Sequence, residues 1–302
     1  MSKSRRPQSS WDALDNNRHR QPYSAVPLNQ DGRIALAVEY VGSDYCGWQR
    51  QTNCNIPSVQ GTLERALSKV ANRPVQVHCA GRTDSGVHAG HQVVHFDPGV
   101  ARSSKAWVLG GNMNLPDSIA IKWAVPVAND FHARFSARYR RYRYIIDNCT
   151  HRPALMSPLL LWRRDHLDVA LMHEASQALL GEADFSAFRA AGCQSRTARR
   201  NVDFVCVSRY QRLLIIDIQA NAFLHHMVRN IVGSLLEIGA GRREVGWLKT
   251  LLISKDRTKA GATAPPEGLY LVDVGYPEVH ALPLNTPGPV FLPCTDNGAS
   301  GT

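Results

Sequence analysis

The chain has 302 residues, 44% of them hydrophobic, enough for one large or two ordinary domains with buried cores. Its formal charge of +10 points to an acidic partner, and no apolar run is long enough to span a bilayer, so no membrane role is expected. Seven cysteines, an odd count without C-x-x-C spacing, are expected to be reduced thiols of a cytoplasmic protein.

Residues 1–30 are polar and Arg-containing, with Asp12 and Asp15 set against a transit peptide and no apolar core for a secretory signal. They are expected to form a disordered basic arm. An N-terminal α/β half is expected over 31–130, a C-terminal α/β half over 131–280, and a flexible tail rich in Pro, Gly, Asn and Thr over 281–302. Alternation of Ile34, Leu36, Val38 and Tyr40 predicts a strand over Arg33 to Tyr40. Val59, Leu63, Ala66, Leu67 and Val70 recur at helical spacing behind Ser58, a good N-cap. Val75 to Ala80 and Gln92 to Asp97 read as strands, a short helix is expected near Ser104 to Asn112, and Ile119 to Val125 reads as another strand. That β-α-β-β-α-β-like order predicts a ferredoxin-like half.

The second half opens with a strand over Arg141 to Ile146, placing Tyr142, Tyr144 and Ile146 on one face. Asp168 can cap a helix containing Val169, Met172, Ala175 and Leu179, closed by Gly181. Phe204 to Ser208 and Leu213 to Gln219 form a hairpin pattern around Arg209-Tyr210-Gln211. A strong helix is expected over His225 to Ile238, a shorter one over Trp247 to Ile253, and a last strand over Leu269 to Val274. No internal sequence repeat is visible, and periodicity alone gives an α+β class.

Gly81-Arg82-Thr83-Asp84-Ser85-Gly86-Val87-His88-Ala89 sets one carboxylate, Asp84, in a glycine-flanked turn between two predicted strands. Taken alone, such an Asp reads most simply as a turn or capping residue. Arg134, Arg138, Arg140, Arg141 and Arg143 interleave with Phe135, Tyr139, Tyr142 and Tyr144, the pairing of phosphate neutralisation with stacking surfaces expected for RNA. A solvated charged face is the plain alternative. His88, His91 and His95 invite a metal reading, but no carboxylate sits at ligand spacing, and His225-His226 does not form H-E-x-x-H, so no metal is expected. Neither a P-loop nor a dinucleotide fingerprint is present, and no cofactor is expected.

The Gly81–Ala89 segment resembles the catalytic signature of the tRNA pseudouridine synthase A family. Further motifs follow in that family's order from about Arg33 to about Tyr276: Tyr40 to Gln51, Ser58 to Glu64, Phe131 to Ala137, Arg141 to Tyr144, Asn221 to Gly233 and Glu267 to Leu271. The resemblance implies two ferredoxin-like halves sharing one antiparallel sheet, helices on one face and a central RNA-binding cleft on the other. It implies conversion of uridine to pseudouridine at positions 38, 39 and 40 of the tRNA anticodon stem-loop, without metal, by a homodimer whose subunits both hold the tRNA. Asp84 would act as nucleophile on C1′ or as base on C2′, with Arg229 as its charge partner. Tyr142 would be the active-site tyrosine, though Tyr144 shares its strand face and the residues alone do not separate them. Arg82 would help extract the target nucleotide and Leu269 would pack against the flipped uracil. From the basic run, Arg140 and Arg141 are expected to meet RNA phosphate, and His88 is expected to contact RNA phosphate or to satisfy local hydrogen bonds. Val41 stands where the family usually has Asp, and Pro265-Pro266 stiffens the segment before Leu269. The alternatives are a catalytically silent RNA-binding or chaperone protein, a synthase with other target uridines, or a glycosidase, which would want a second carboxylate near Asp84.

Overall fold

The computed structural model describes residues 24–51 and 55–292. Most of the predicted arm (1–23) and the end of the predicted tail (293–302) therefore lie outside the described residues. The first half contributes β1 (Arg33–Tyr40), α1 (Val59–Ala71), β2 (His78–Cys79), β3 (His88–Phe96) and β4 (Ile119–Val127). The second contributes β5 (Tyr139–Asn148), β6 (Leu161–Arg163), α2 (Val169–Ser176), β7 (Gly181–Asp184), β8 (Arg199–Tyr210) and β9 (Leu213–Ala220). It ends with α3 (Met227–Gly239), α4 (Trp247–Ser254) and β10 (Leu269–Gly275).

All ten strands form one sheet in the order β4-β1-β3-β10-β5-β9-β8-β7, with β2 beside β3 and β6 beside β5. Each half repeats the same arrangement: β4-β1-β3-β2 in the first and β10-β5-β9-β8 in the second. That order is the ferredoxin-like one expected from the sequence. The sheet is mostly antiparallel, but the seam joining the halves is a parallel pairing of β3 with β10, at Tyr270↔His88 and Leu271↔Ala89. β5 and β6 are also parallel.

Strand parity separates the two faces. Tyr142, Tyr144, Ile216, Ile218, Leu269 and Leu271 enter the main core with Leu63 and Leu67 of α1, Met172 of α2, Ile231 and Leu235 of α3, and Leu248 of α4. Ile145, Ile215, Tyr270 and Val272 point the other way and form a smaller cluster with Leu160 and Leu292. The described part of the tail is not loose: Asn285 donates to Val272 O at 2.9 Å, and Arg143 Nη1 donates to Pro287 O and Gly288 O at 3.0 and 2.9 Å. Residues 281–292 thus strap the face opposite the helices.

Local chemistry explains most boundaries. Ser58 caps α1 by accepting from Gly61 N, and Asp168 caps α2 by accepting from Leu171 N. Gly181 does not close α2; that helix ends in a 3₁₀ turn at Leu179, and Gly181 opens β7 with φ +89°. The helix expected from His225 begins at Met227, because His226 adopts φ +60° and breaks the helical path.

Candidate active site

Asp84 lies in a loop gripped from three sides. Tyr40 Oη and Thr83 Oγ1 are hydrogen-bonded at 2.8 Å, Trp48 N donates to Thr83 O at 3.0 Å, and Ser85 Oγ donates to Tyr45 O at 3.1 Å. Gly47 (φ +95°) permits this approach, since a Cβ there would sit 2.8 Å from Thr83 O. On the other side the buried Gln92 amide clamps Gly81, donating to its carbonyl at 2.5 Å and accepting from its N–H at 3.2 Å. Val87 N closes the turn on Asp84 O at 3.2 Å. The Tyr40–Gln51 motif is therefore scaffolding for the Asp84 loop. Val41, the departure from the family pattern, keeps its backbone N–H bonded to Ser118 O at 2.9 Å, so the change leaves no donor unpaired.

The second half brings Arg229 to the same point. Its Nη1 donates to Asp84 Oδ2 at 3.1 Å and its Nε to Ala264 O at 2.8 Å. α3 can present the arginine there because Gly233 has no side chain, and the 261–264 segment packs directly on its backbone. The guanidinium side chain is only 13% exposed and the Asp84 carboxylate 23%, so the pair is partly desolvated and spans the two halves.

Two histidines complete the cluster. His225 Nε2 lies 3.4 Å from Asp84 Oδ1, and His226 Nε2 lies 3.3 Å from Oδ2. The left-handed backbone at His226 turns its ring toward the carboxylate, and the two rings pack at 4.0 Å. Burial lowers the His226 pKa, helped by the charges of His225, Arg229 and Arg257 and opposed by Asp84. Asp84, His225 and His226 hold three ligand atoms within 4.8 Å of one another, a spacing that suits a divalent ion. Arg229 sets a fixed positive charge against such an ion. Sequence reasoning missed this cluster because its signal is a strained backbone angle, not a ligand spacing.

Tyr142 of β5 is buried, edge-on to Phe223 at 5.0 Å, and a Cβ on Gly81 would be 3.7 Å from its hydroxyl. Burial raises its pKa well above the ordinary phenol value, Arg140 pulling it down and Asp84 pushing it up. Tyr144 is separated from it by its hydroxyl, which donates to Pro265 O at 2.8 Å in the core. Leu269 is buried in the register position opposite Tyr144, and its N–H is held by Pro266 O at 2.9 Å. The Pro266 ring abuts Gly86, which links this segment to the Asp84 loop. Arg82 is exposed and makes no hydrogen bond or ion pair with the described residues.

The cluster sits on the helix-bearing side of the sheet, between the Asp84 loop and α3, not on the bare face expected from the sequence. Three expected RNA contacts are corrected accordingly. His88 is buried on the opposite face against Tyr270, its Nδ1 accepting from Gly42 N and its Nε2 bonded to Glu267 O, both at 3.0 Å. Arg141 is buried on that same face, in a bidentate pair with Asp217 at 2.7 and 2.8 Å. Arg140 spends its guanidinium on the carbonyls of Ala80, Arg134 and Asn221 at 2.9, 2.6 and 3.0 Å. It braces the strand leading into the Asp84 loop.

The sequence pattern of the family described as tRNA pseudouridine synthase matches residues 36–136 and 175–277. The tRNA pseudouridine synthase A of Shewanella amazonensis is 59% identical over 261 residues, covering 86% of this chain and 99% of that one. Its counterparts from Aeromonas salmonicida and Vibrio campbellii are 56% and 57% identical, covering 89% and 86% of this chain and 98% of each relative. Matches that span nearly the whole of each relative and include the Asp84 loop and α3 make this chain a member of the tRNA pseudouridine synthase family.

Proposed function

We propose that the protein isomerises uridine to pseudouridine at positions 38, 39 and 40 of the tRNA anticodon stem-loop, working as a homodimer with Asp84 as the reacting carboxylate. The observation that carries this reading is the Asp84–Arg229 pair, closed across the two halves within a strongly basic molecule. The reaction breaks the C1′–N1 bond, turns the uracil and rejoins it to C1′ through C5. Atoms and oxidation states are conserved, so the chemistry asks only for a positioned carboxylate and a dry pocket. Arg229 engages Oδ2, which leaves Oδ1 to attack C1′ or to take the C2′ proton. Tyr142 stays a protonated phenol and offers its ring to the uracil, with Leu269 as an apolar wall. Arg82, exposed at the rim, helps draw the nucleotide out of the stack.

A purely RNA-binding role is disfavoured by the same pair, because a carboxylate at the centre of a phosphate-binding surface weakens binding. Incubation with unmodified tRNA, without added cofactor, followed by mapping of pseudouridine at nucleotide resolution tests the assignment. Product confined to positions 38–40 is expected. Product elsewhere in the tRNA would reassign the target, and tight binding without product would remove the enzymatic reading.

A further inference from the structure

Phe135 is 75% exposed, the most of any Phe, Tyr or Trp among the described residues. A single exposed apolar side chain is ordinary; what sets this one apart is the turn built to hold it. His132 N donates to Ser136 Oγ at 3.0 Å, and Ser136 N donates back to His132 O at 2.9 Å. Inside that closed turn, His132 Nδ1 accepts from both Arg134 N and Phe135 N, at 3.1 and 3.3 Å. The imidazole fixed in this way lies against the Phe135 ring, with centroids 4.3 Å apart and planes 33° apart. Behind it, His95 of β3 packs edge-on to His132 at 4.6 Å and accepts from Ala133 N at 3.1 Å. Three rings therefore form a column that starts in the sheet and ends on Phe135 at the surface. Ordering that ring on binding costs little, because the turn has already ordered it.

The column stands beside the reacting centre. Arg140 shares the strand parity of Tyr142, and its guanidinium bonds Arg134 O, Ala80 O just before Gly81, and Asn221 O at the start of the segment leading to Arg229. Exposed Arg82 and Arg134 flank the same stretch, and both act on the Cys79 thiol between them. The surroundings of the ring select its occupant. The Arg134 guanidinium carbon lies 5.6 Å from the Phe135 centroid, and Arg138 is exposed in the same segment of a chain with a formal charge of +10. An aromatic face bordered by arginines suits a base that carries its own phosphates, since the ring stacks while the cations neutralise the backbone.

We propose that Phe135, seated on His132, is a stacking platform for an unpaired base of the tRNA close to the uridine that reacts at Asp84, with Arg134 and Arg138 meeting the flanking phosphates. This rests on the isomerase reading and adds a second nucleotide contact to it. Stacking engages the face that all bases share, so the platform holds the strand without reading its sequence. Phe135 binds substrate and takes no part in the bond changes at C1′.

The test uses the full chain and an anticodon stem-loop carrying 2-aminopurine, an adenine analogue whose fluorescence falls when it stacks. The probe replaces in turn each of the three nucleotides on either side of the target uridine. Wild type, Phe135→Tyr and Phe135→Leu are compared for quenching, affinity, thermal stability, oligomeric state and pseudouridine formed. Quenching at one probe position is expected with wild type and the tyrosine variant and is expected to disappear with leucine. The leucine variant should also bind about 10-fold more weakly, at unchanged thermal stability and oligomeric state. Quenching by the leucine variant equal to wild type at every position would overturn the proposal. So would an altered oligomeric state in that variant with quenching retained, which would give the ring to a contact between copies of the chain. Wild type that forms no pseudouridine would overturn the isomerase reading, a failure distinct from that of the platform because quenching is read without turnover.

Discussion

At the scale of single residues, the site is built by subtraction as much as by functional groups. Gly47 and Gly233 have no side chains where the scaffold approaches the Asp84 loop and where the Ala262 carbonyl approaches α3, and those absences help bring Asp84 and Arg229 within 3.1 Å. Asp84 and Arg229 were legible as motif positions. Tyr142 and Tyr144 were not separable until the Tyr144 hydroxyl was found bonded to Pro265 O. His225 and His226 were unreadable because a φ of +60° at a non-glycine residue has no sequence signature. Arg229→Ala removes the charge partner of a partly desolvated carboxylate, so single-turnover rate is expected to fall about 10²-fold or more while tRNA affinity changes by only a few-fold. A larger loss of affinity than of rate would take Arg229 out of the reacting centre.

At the scale of elements, β5 shows what periodicity gives and withholds. Alternation correctly grouped Tyr142, Tyr144 and Ile146 on one face, but the same parity sends Arg141 and Arg143 to the opposite face, where both engage Asp217. A run of arginines and aromatics reads as an RNA surface only if its arginines are exposed, and sequence does not report which carboxylate waits across the sheet. Arg134 and Arg138 remain exposed, with Arg134 stacked over the Phe135 ring at 5.6 Å. Asp217→Ala leaves two guanidinium groups without their buried partner. Thermal or denaturant unfolding should show a loss of roughly 3–5 kcal/mol. Replacing Arg134 and Arg138 together by alanine should leave stability intact and reduce the slope of log affinity against log salt by about 1–2. The reverse assignment of stability and salt effects would restore the sequence-based reading.

At the scale of the whole molecule, the two halves share a strand order without sharing a sequence repeat, because burial pattern and not residue identity fixes that arrangement. What the sequence withheld was their junction, a parallel contact of β3 with β10 that no local pattern encodes. The sheet buries three histidines of β3, of which only His88 lies at the junction: burial pushes His88 and His91 down to about 4 and His95 down to about 3. Between the ordinary imidazole value near pH 6.5 and about pH 4 the unfolded chain binds protons that these folded residues refuse, so stability falls as pH drops. Tm should decrease steadily from pH 7 to pH 5; a flat or rising Tm would mean the histidines are not buried as described.

The central claim is that one carboxylate carries the chemistry in a site otherwise built for binding. Comparing wild type and Asp84→Asn for tRNA affinity and for pseudouridine formed in a single turnover tests it most directly. Affinity within a few-fold of wild type and no detectable pseudouridine are expected for the variant. Pseudouridine formed by Asp84→Asn at a rate near wild type would contradict it.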